Sequence, residues 1–223
     1  MTPDLISLLG LWWCEKSMSL QGGEARLRLE TMSDPGWMLQ LSGFNDIEIN
    51  EAFGDLPIGP PGEWMKIEQR SDAILIMAGP FQLAQILWRF LGGYSGTPSY
   101  FGKPPEVPRH YHGMHIEEGL LDLAQRLQKW FICNCDYYWE EEFGFKVCTE
   151  GNSRWRLEID SGNENELRAD DYRVLNGTMA TTNLDFKKSG RNLVCSCTND
   201  QFTEMVARAM EFVEGDWKDL ISN

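Results

Sequence analysis

Apolar residues in the first half of the chain follow two different periods. Near the start they recur every three or four residues, as on the buried face of a helix, at Leu5, Leu8, Leu9 and Trp12. They then alternate with polar residues, as in half-buried strands, at Ala25, Leu27, Leu29, Trp37, Leu39 and Leu41. The run EWMKIEQRSDAILIMAG predicts a hairpin that turns at Ser71-Asp72. A second amphipathic helix is predicted from Phe81 to Phe90, ended by Gly92-Gly93.

The second half has the same order of patterns. Helical spacing marks Leu120, Leu123, Leu127, Trp130 and Phe131, and alternation marks Phe143, Phe145, Val147, Trp155, Leu157 and Ile159. The run LDFKKSGRNLVCSC predicts a hairpin that turns near Ser189-Gly190. A final helix is predicted with Asn199 or Asp200 as its N-cap and Gly215 as its stop.

Corresponding residues of the two halves are separated by a constant 118 positions, as in Thr31 and Thr149 or Trp37 and Trp155. We interpret this offset as an internal duplication. Runs of strands flanked by helices favour antiparallel pairing, so the sequence predicts an α+β fold of two similar units. Each unit would be an antiparallel sheet of about four strands with an N-terminal and a C-terminal helix. The units are residues 1–93 and 118–223, and a linker rich in Gly, Pro and aromatic residues joins them at 94–117.

The net charge of −14 is the unusual bulk property of this 223-residue chain. An acidic surface repels phosphate backbones, which argues against a nucleic-acid partner and favours a basic one. The alternative is that the charge only keeps the protein soluble. No run approaches the ~20 apolar residues of a membrane span.

The start of the chain is more typical of a helix than of a signal peptide, because no basic residue precedes Leu5 to Trp13. Thr2 is the predicted N-cap, with Pro3 in the first turn and Asp4 near the positive end of the helix. Six cysteines without a signal peptide predict reduced thiols and a cytoplasmic protein.

The segment WFICNCDYYWEEEFGFKVCT, residues 130–149, carries the densest motif. It resembles the immunity protein 53 family of bacterial polymorphic toxin systems. The matching positions are Trp130-Phe131, Asn134-Cys135-Asp136, Trp139-Glu140, Phe143-Gly144, Thr149, Asn152 and Trp155. In the first half, the residues that match are Thr31, Asp34 displaced by one place, and Pro35-Gly36-Trp37. Members of the family are about half as long as this chain, so the resemblance implies a fused tandem pair.

The departures from the family pattern limit where a function can reside. Tyr137-Tyr138 replace a Gly-Asp pair, and Glu141 replaces a histidine. The first half has KSMSLQGGEA in place of the Cys-Asp-Trp-Glu stretch, so a role of that stretch belongs to the second half. The resemblance implies a cytoplasmic immunity protein that binds and blocks one toxin, without chemistry, cofactor or metal of its own.

The stretch DYYWEEE is the predicted partner-binding surface: Asp136, Tyr137, Tyr138, Trp139, Glu140, Glu141 and Glu142. Tyrosine and tryptophan are favoured interface anchors, and carboxylates steer a basic partner towards them. The toxin would therefore be basic, and a nuclease fits this expectation because it must bind phosphate. Alternatively, the aromatic residues belong to the core and the glutamates form a solvated edge. Two other functions remain open: an enzyme that uses Cys135, Asp136 and Glu140, and a generic acidic adaptor.

Two clusters suggest metal binding but have simpler explanations. His110, His112 and His115 fall within six residues, yet they lie in the predicted linker without an obvious fourth ligand. Cys133 and Cys135, like Cys195 and Cys197, are separated by one residue, whereas zinc sites usually separate cysteines by two to four. Cys195 and Cys197 alternate with Leu193 along a predicted strand, so we expect them to be buried, reduced and metal-free.

Overall fold

The computed structural model describes residues 4–19, 25–44, 64–94, 122–134, 144–151, 153–160, 184–189 and 192–221. In this part of the chain, eight strands form one antiparallel sheet, and helices pack on one of its faces around a shared apolar core. The predicted α+β class is therefore confirmed.

The elements follow the predicted order in both halves. The first half contains α1 (Leu5–Ser19), β1 (Arg26–Met32), β2 (Gly36–Ser42), β3 (Met65–Gln69), β4 (Ala73–Ala78) and α2 (Leu83–Tyr94). The second half contains α3 (Leu123–Asn134), β5 (Gly144–Glu150), β6 (Arg154–Asp160), β7 (Asp185–Ser189), β8 (Asn192–Thr198) and α4 (Phe202–Ile221). A single 3₁₀ turn precedes α2 and another precedes α4.

The strand order is β3-β4-β2-β1-β5-β6-β8-β7, so each half contributes four adjacent strands in the same order from the centre outwards. Strands β5 and β6 begin and end 118 positions after β1 and β2, and their pairing registers correspond residue for residue. The two halves meet where β1 pairs with β5, and Leu29 faces Val147 at the centre of that pairing. These two residues are also 118 positions apart, so the strand pairing at the joint brings corresponding positions of the two halves opposite each other.

Two threonine hydroxyls extend the joint beyond the three residue pairs that β1 and β5 form. The Thr149 hydroxyl accepts a hydrogen bond from the Leu27 N–H at 3.0 Å, and the Thr31 hydroxyl accepts one from the Phe145 N–H at 3.0 Å. These two interactions correspond under the offset of 118. The same hydroxyls contact the carbonyl oxygens of Leu27 at 3.5 Å and Phe145 at 3.3 Å. Each threonine thus satisfies backbone groups that strand pairing leaves open.

The first helix of each half packs against the other half. Trp13 on α1 contacts Trp155 on β6 edge-to-face, with ring centroids 6.0 Å apart. In the corresponding place, Phe131 on α3 contacts Trp37 on β2 at 4.9 Å. All four rings are buried in one continuous core. Because aromatic pairs contribute beyond their buried area, these contacts join the halves in addition to the pairing of β1 with β5.

Acidic N-caps begin the first helix of each half. Asp4 accepts hydrogen bonds from the N–H groups of Ile6 and Ser7, both at 3.2 Å, so the N-cap is Asp4 and the prediction of Thr2 is wrong. Asp122, 118 positions later, forms a reciprocal capping box with Gln125. Burial raises the pKa of the Asp122 carboxyl, and the nearby charge of Asp4 raises it further.

Glycines do not end the second helix of either half, contrary to the prediction. Helix α2 continues through Gly92-Gly93 to Tyr94, and α4 continues past Gly215 to Ile221. A glycine ends a helix when it takes a left-handed conformation. Among the described residues, the glycines with positive φ are Gly43 and Gly151, and both lie outside the helices.

In the described part of the chain, both halves contribute to one sheet and one apolar cluster, so the two predicted units do not have separate cores. Apart from Tyr94, the predicted linker at 94–117 lies outside the described residues. None of the described helices is long and apolar enough to cross a membrane.

Candidate binding surface on the open face of the sheet

Alternate residues of the strands point away from the helices onto a second face, which we call the open face. In β6 and β8, every second residue is fully buried and the residues between are partly exposed. The central strands β1, β5 and β6 place mainly charged side chains on the open face: Arg26, Arg28, Glu30, Lys146, Cys148, Arg156 and Glu158. At these central strands the open face therefore has the polar character of a binding surface rather than of a second core layer.

Ion pairs run along and across these strands. Arg28 Nε donates to Glu30 at 2.7 Å, and Arg156 Nε donates to Glu158 at 2.7 Å. Lys146 lies 3.9 Å from Glu158, which places it at the limit of an ion pair. The hydrogen bond to Glu158 raises the pKa of Arg156. These partly exposed pairs contribute little to stability, but they hold the charges in fixed places.

One depression in the open face is acidic, and we call it the acidic depression. Its volume is about 420 Å³, and its charged lining consists of Glu30, Lys146, Arg156, Glu158 and Asp160. Three carboxylates thus face two cations in the lining. Gly144, the first residue of β5, also lines it.

The second depression lies on the other side of the joint, and we call it the basic depression. Its volume is about 280 Å³, and its charged lining consists of Arg26, Arg28 and Lys146. Gln40, Ser42 and Cys148 supply neutral polar groups, and no carboxylate lines it. Burial raises the pKa of the Cys148 thiol, so the thiol is neutral at pH 7 and does not offset the positive charge.

Gly144 allows the close approach of the two central strands beside the acidic depression. A Cβ atom at this position would overlap the Thr31 hydroxyl oxygen, the atom that bonds to the neighbouring Phe145. A larger residue at 144 would therefore break the threonine bridge. The glycine of the Phe143-Gly144 motif has a structural role, which the sequence did not suggest.

The predicted partner-binding residues lie outside the described part of the chain: Asp136, Tyr137, Tyr138, Trp139, Glu140, Glu141 and Glu142. The structure describes both ends of the segment that contains them. Before the segment, α3 ends at Asn134, whose side-chain amide N–H donates a hydrogen bond to the Trp130 carbonyl at 2.8 Å. After the segment, β5 begins at Gly144, on the wall of the acidic depression.

Of the other candidate site residues, some lie outside the described part of the chain and some lie within it. Cys135, His110, His112 and His115 are outside the described residues. Cys195 and Cys197 are fully buried with free thiols, so their predicted burial is confirmed. Burial raises the pKa of Cys197 to about 12, and it also raises the pKa of Cys195. In the described ranges, no group of three or more His, Cys, Asp or Glu side chains could hold a metal ion.

The open-face depressions were not predicted from the sequence. The local signal was available, because charged residues alternate with the apolar ones at 26, 28 and 30 and again at 146, 156 and 158. Pairing of β1 with β5 brings these charges to one surface, and no local pattern specifies that pairing. No protein-family model matches the chain, and no curated protein or solved structure matches it with significance.

Proposed function

We propose that this protein is a cytoplasmic toxin-neutralising immunity protein that binds and occludes a basic toxin, such as a nuclease. The binding surface would be the acidic and aromatic segment Asp136–Glu142. The observation that carries the proposal is the place where this segment joins the fold. It enters the sheet at Gly144, on the wall of a depression that Glu30, Glu158 and Asp160 make acidic. Glu142 is two residues from Gly144 in the chain, and we propose that the segment and the depression both contribute carboxylates to the partner-binding surface.

The net charge of the chain and the motif at residues 130–149 both favour a basic toxin as the partner. With a net charge of −14, the chain attracts a basic protein over a long range and speeds its encounter. The resemblance of residues 130–149 to the immunity protein 53 family implies that the partner is a toxin. A nuclease needs a positively charged groove for its phosphate substrate, and an acidic protein that fills this groove blocks it.

We also propose that the chain arose by tandem duplication of a half-length unit. The support is the correspondence of strand boundaries, pairing registers and threonine bridges at an offset of 118 positions. After duplication, the second copy kept the Cys-Asp-Trp-Glu stretch and the first copy lost it. Only the second copy would then bind the toxin.

The test is the association rate with the toxin domain encoded next to this gene, which the proposed function requires. The triple change D136A/E140A/E141A should slow association about tenfold at low salt, because charge steering changes encounter rates by factors of about 10–1,000. The variant should also show a weaker dependence of the rate on ionic strength. Stopped-flow fluorescence at several salt concentrations measures both effects.

The matched control removes three carboxylates elsewhere, at Glu15, Asp34 and Asp72. All three side chains are exposed. Glu30 is unsuitable as a control, because it bonds to Arg28 and lines the acidic depression. If the control slows association as much as D136A/E140A/E141A does, only net charge matters and the proposed surface is wrong.

A further inference from the structure

The two depressions occupy corresponding places in the two halves, but their charges are opposite. Each carboxylate of the acidic depression corresponds to a neutral residue of the basic one. Glu30 corresponds to Cys148, Glu158 to Gln40, and Asp160 to Ser42, each at an offset of 118. At a fourth pair of positions, the uncharged Gly144 of the acidic depression corresponds to the cation Arg26 of the basic depression. The strand positions thus correspond in the two halves, but only the acidic depression carries carboxylates.

The cations of the basic depression are only partly neutralised by described residues. Arg26 is exposed and forms no ion pair or side-chain hydrogen bond with any of them. Arg28 shares its guanidinium with Glu30. Lys146 reaches Glu158 only at 3.9 Å, across β5 and β6. Arg26, Arg28 and Lys146 repel one another where they line the same depression, and a bound anion would offset this repulsion.

We propose that the basic depression binds an oxyanion: a phosphate or carboxylate group of a small molecule. Arginine side chains present paired N–H donors that match the oxygens of such groups. Lys146 would supply a third positive charge, and Gln40 and Ser42 would supply uncharged donors at the side of the site. The site is formed by residues of β1, β2 and β5 at the centre of the sheet, where the backbone is held by strand pairing on both sides.

The site does not depend on the proposed immunity function, because it lies in the joint between the halves and needs no toxin. It also differs from the toxin-binding surface in chemistry. A basic toxin is attracted to carboxylates, whereas this site favours an acidic group. The two proposals can therefore fail separately.

Isothermal titration calorimetry of the full chain with inorganic phosphate and, separately, with citrate tests the proposal at constant ionic strength. We expect saturable binding of one anion per chain. R26Q and K146Q should each weaken it at least tenfold. The matched control R154Q removes an exposed arginine from β6 that lines neither depression, and it should change affinity less than twofold. A ratio of phosphate to citrate affinity above ten identifies a phosphate ester as the ligand class, and a ratio below one tenth identifies a carboxylate.

Cys148→Glu provides an independent test, since it restores the carboxylate that the corresponding position 30 carries. The side chain is partly exposed on the open face, and thermal unfolding checks that the variant folds. We expect phosphate and citrate binding to be lost. The proposal is overturned if neither anion shows saturable binding to the wild-type protein. It is equally overturned if R154Q weakens binding as much as R26Q, or if C148E binds like the wild type.

Discussion

The threonine bridge between β1 and β5 makes a quantitative prediction about how the halves are joined. Thr149→Val replaces the bridging hydroxyl with a methyl group of similar size, so the change creates no cavity. It leaves the Leu27 N–H, now bonded to Thr149 Oγ1 at 3.0 Å, without an acceptor. Leu27 is fully buried and Thr149 is only 5% exposed, so the unpaired N–H would be largely shielded from solvent.

The expected cost follows from the chemistry of that N–H group. Leaving a buried donor unpaired costs about 1–3 kcal/mol. The longer contact to the Leu27 carbonyl, at 3.5 Å, adds little because hydrogen bonds weaken at that distance. A central loss of ~2 kcal/mol lowers Tm by roughly 4–8 °C in a domain of 150–250 residues. The loss is a large share of a typical folding free energy of about 5–15 kcal/mol.

Urea unfolding followed by tryptophan fluorescence and circular dichroism measures the free energy of unfolding directly. Thr31→Val removes the corresponding bridge and should cost less, because Thr31 is partly exposed. Thr198→Val is the control, since its hydroxyl bonds to Asp200 at the surface and its loss should cost less than about 0.5 kcal/mol. A value for Thr149→Val as small as that of Thr198→Val would refute the bridging role.

Three further predictions concern pH, thiol reactivity and the interlocked helices. Asp122→Asn should increase the free energy of unfolding at pH 7, because it removes a half-buried charge whose pKa is raised in the folded state by burial and by Asp4. A raised carboxyl pKa means that the wild type loses stability as pH rises, so the advantage should shrink towards zero in unfolding curves below about pH 4; an advantage that persists there would contradict this cause. Iodoacetamide labelling mapped by mass spectrometry should modify exposed Cys133 in the native protein and spare buried Cys195 and Cys197 until urea unfolds it; equal labelling rates would contradict the described core. A chain cut between residues 94 and 122 should give fragments that are unfolded separately and fold when mixed, because Trp37 and Trp155 each pack against the other half; circular dichroism would contradict this if either fragment folded alone.

Local sequence patterns were sufficient for the elements of each half, because each element has its own periodic signal. The alternation around Leu39 and Leu157 marks strands that the structure confirms, and the hairpin at Ser71-Asp72 joins β3 to β4 as predicted. Helix ends were less predictable. Phe90 and Leu91 are buried in the core directly before the two glycines, and α2 continues through both glycines.

Contacts between the halves could not be predicted, because they depend on residues more than 100 positions apart. The pairing of Leu29 with Val147 creates the continuous sheet, and the contact of Trp13 with Trp155 interlocks the helices. The two depressions follow from that pairing, so they were missed although their charged residues were visible. The segment Asp136–Glu142 was chosen from a motif, and its role stays a prediction.

Survival of bacterial cells tests the central claim, toxin neutralisation, most directly. The cells express the toxin domain encoded next to this gene, with or without this protein, and colony counts report protection. We predict that the wild-type protein and the control E15A/D34A/D72A restore growth, whereas D136A/E140A/E141A fails at an unchanged Tm. Absence of protection by the wild-type protein would contradict the proposed immunity function. Full protection by D136A/E140A/E141A would show that the toxin binds elsewhere on the protein.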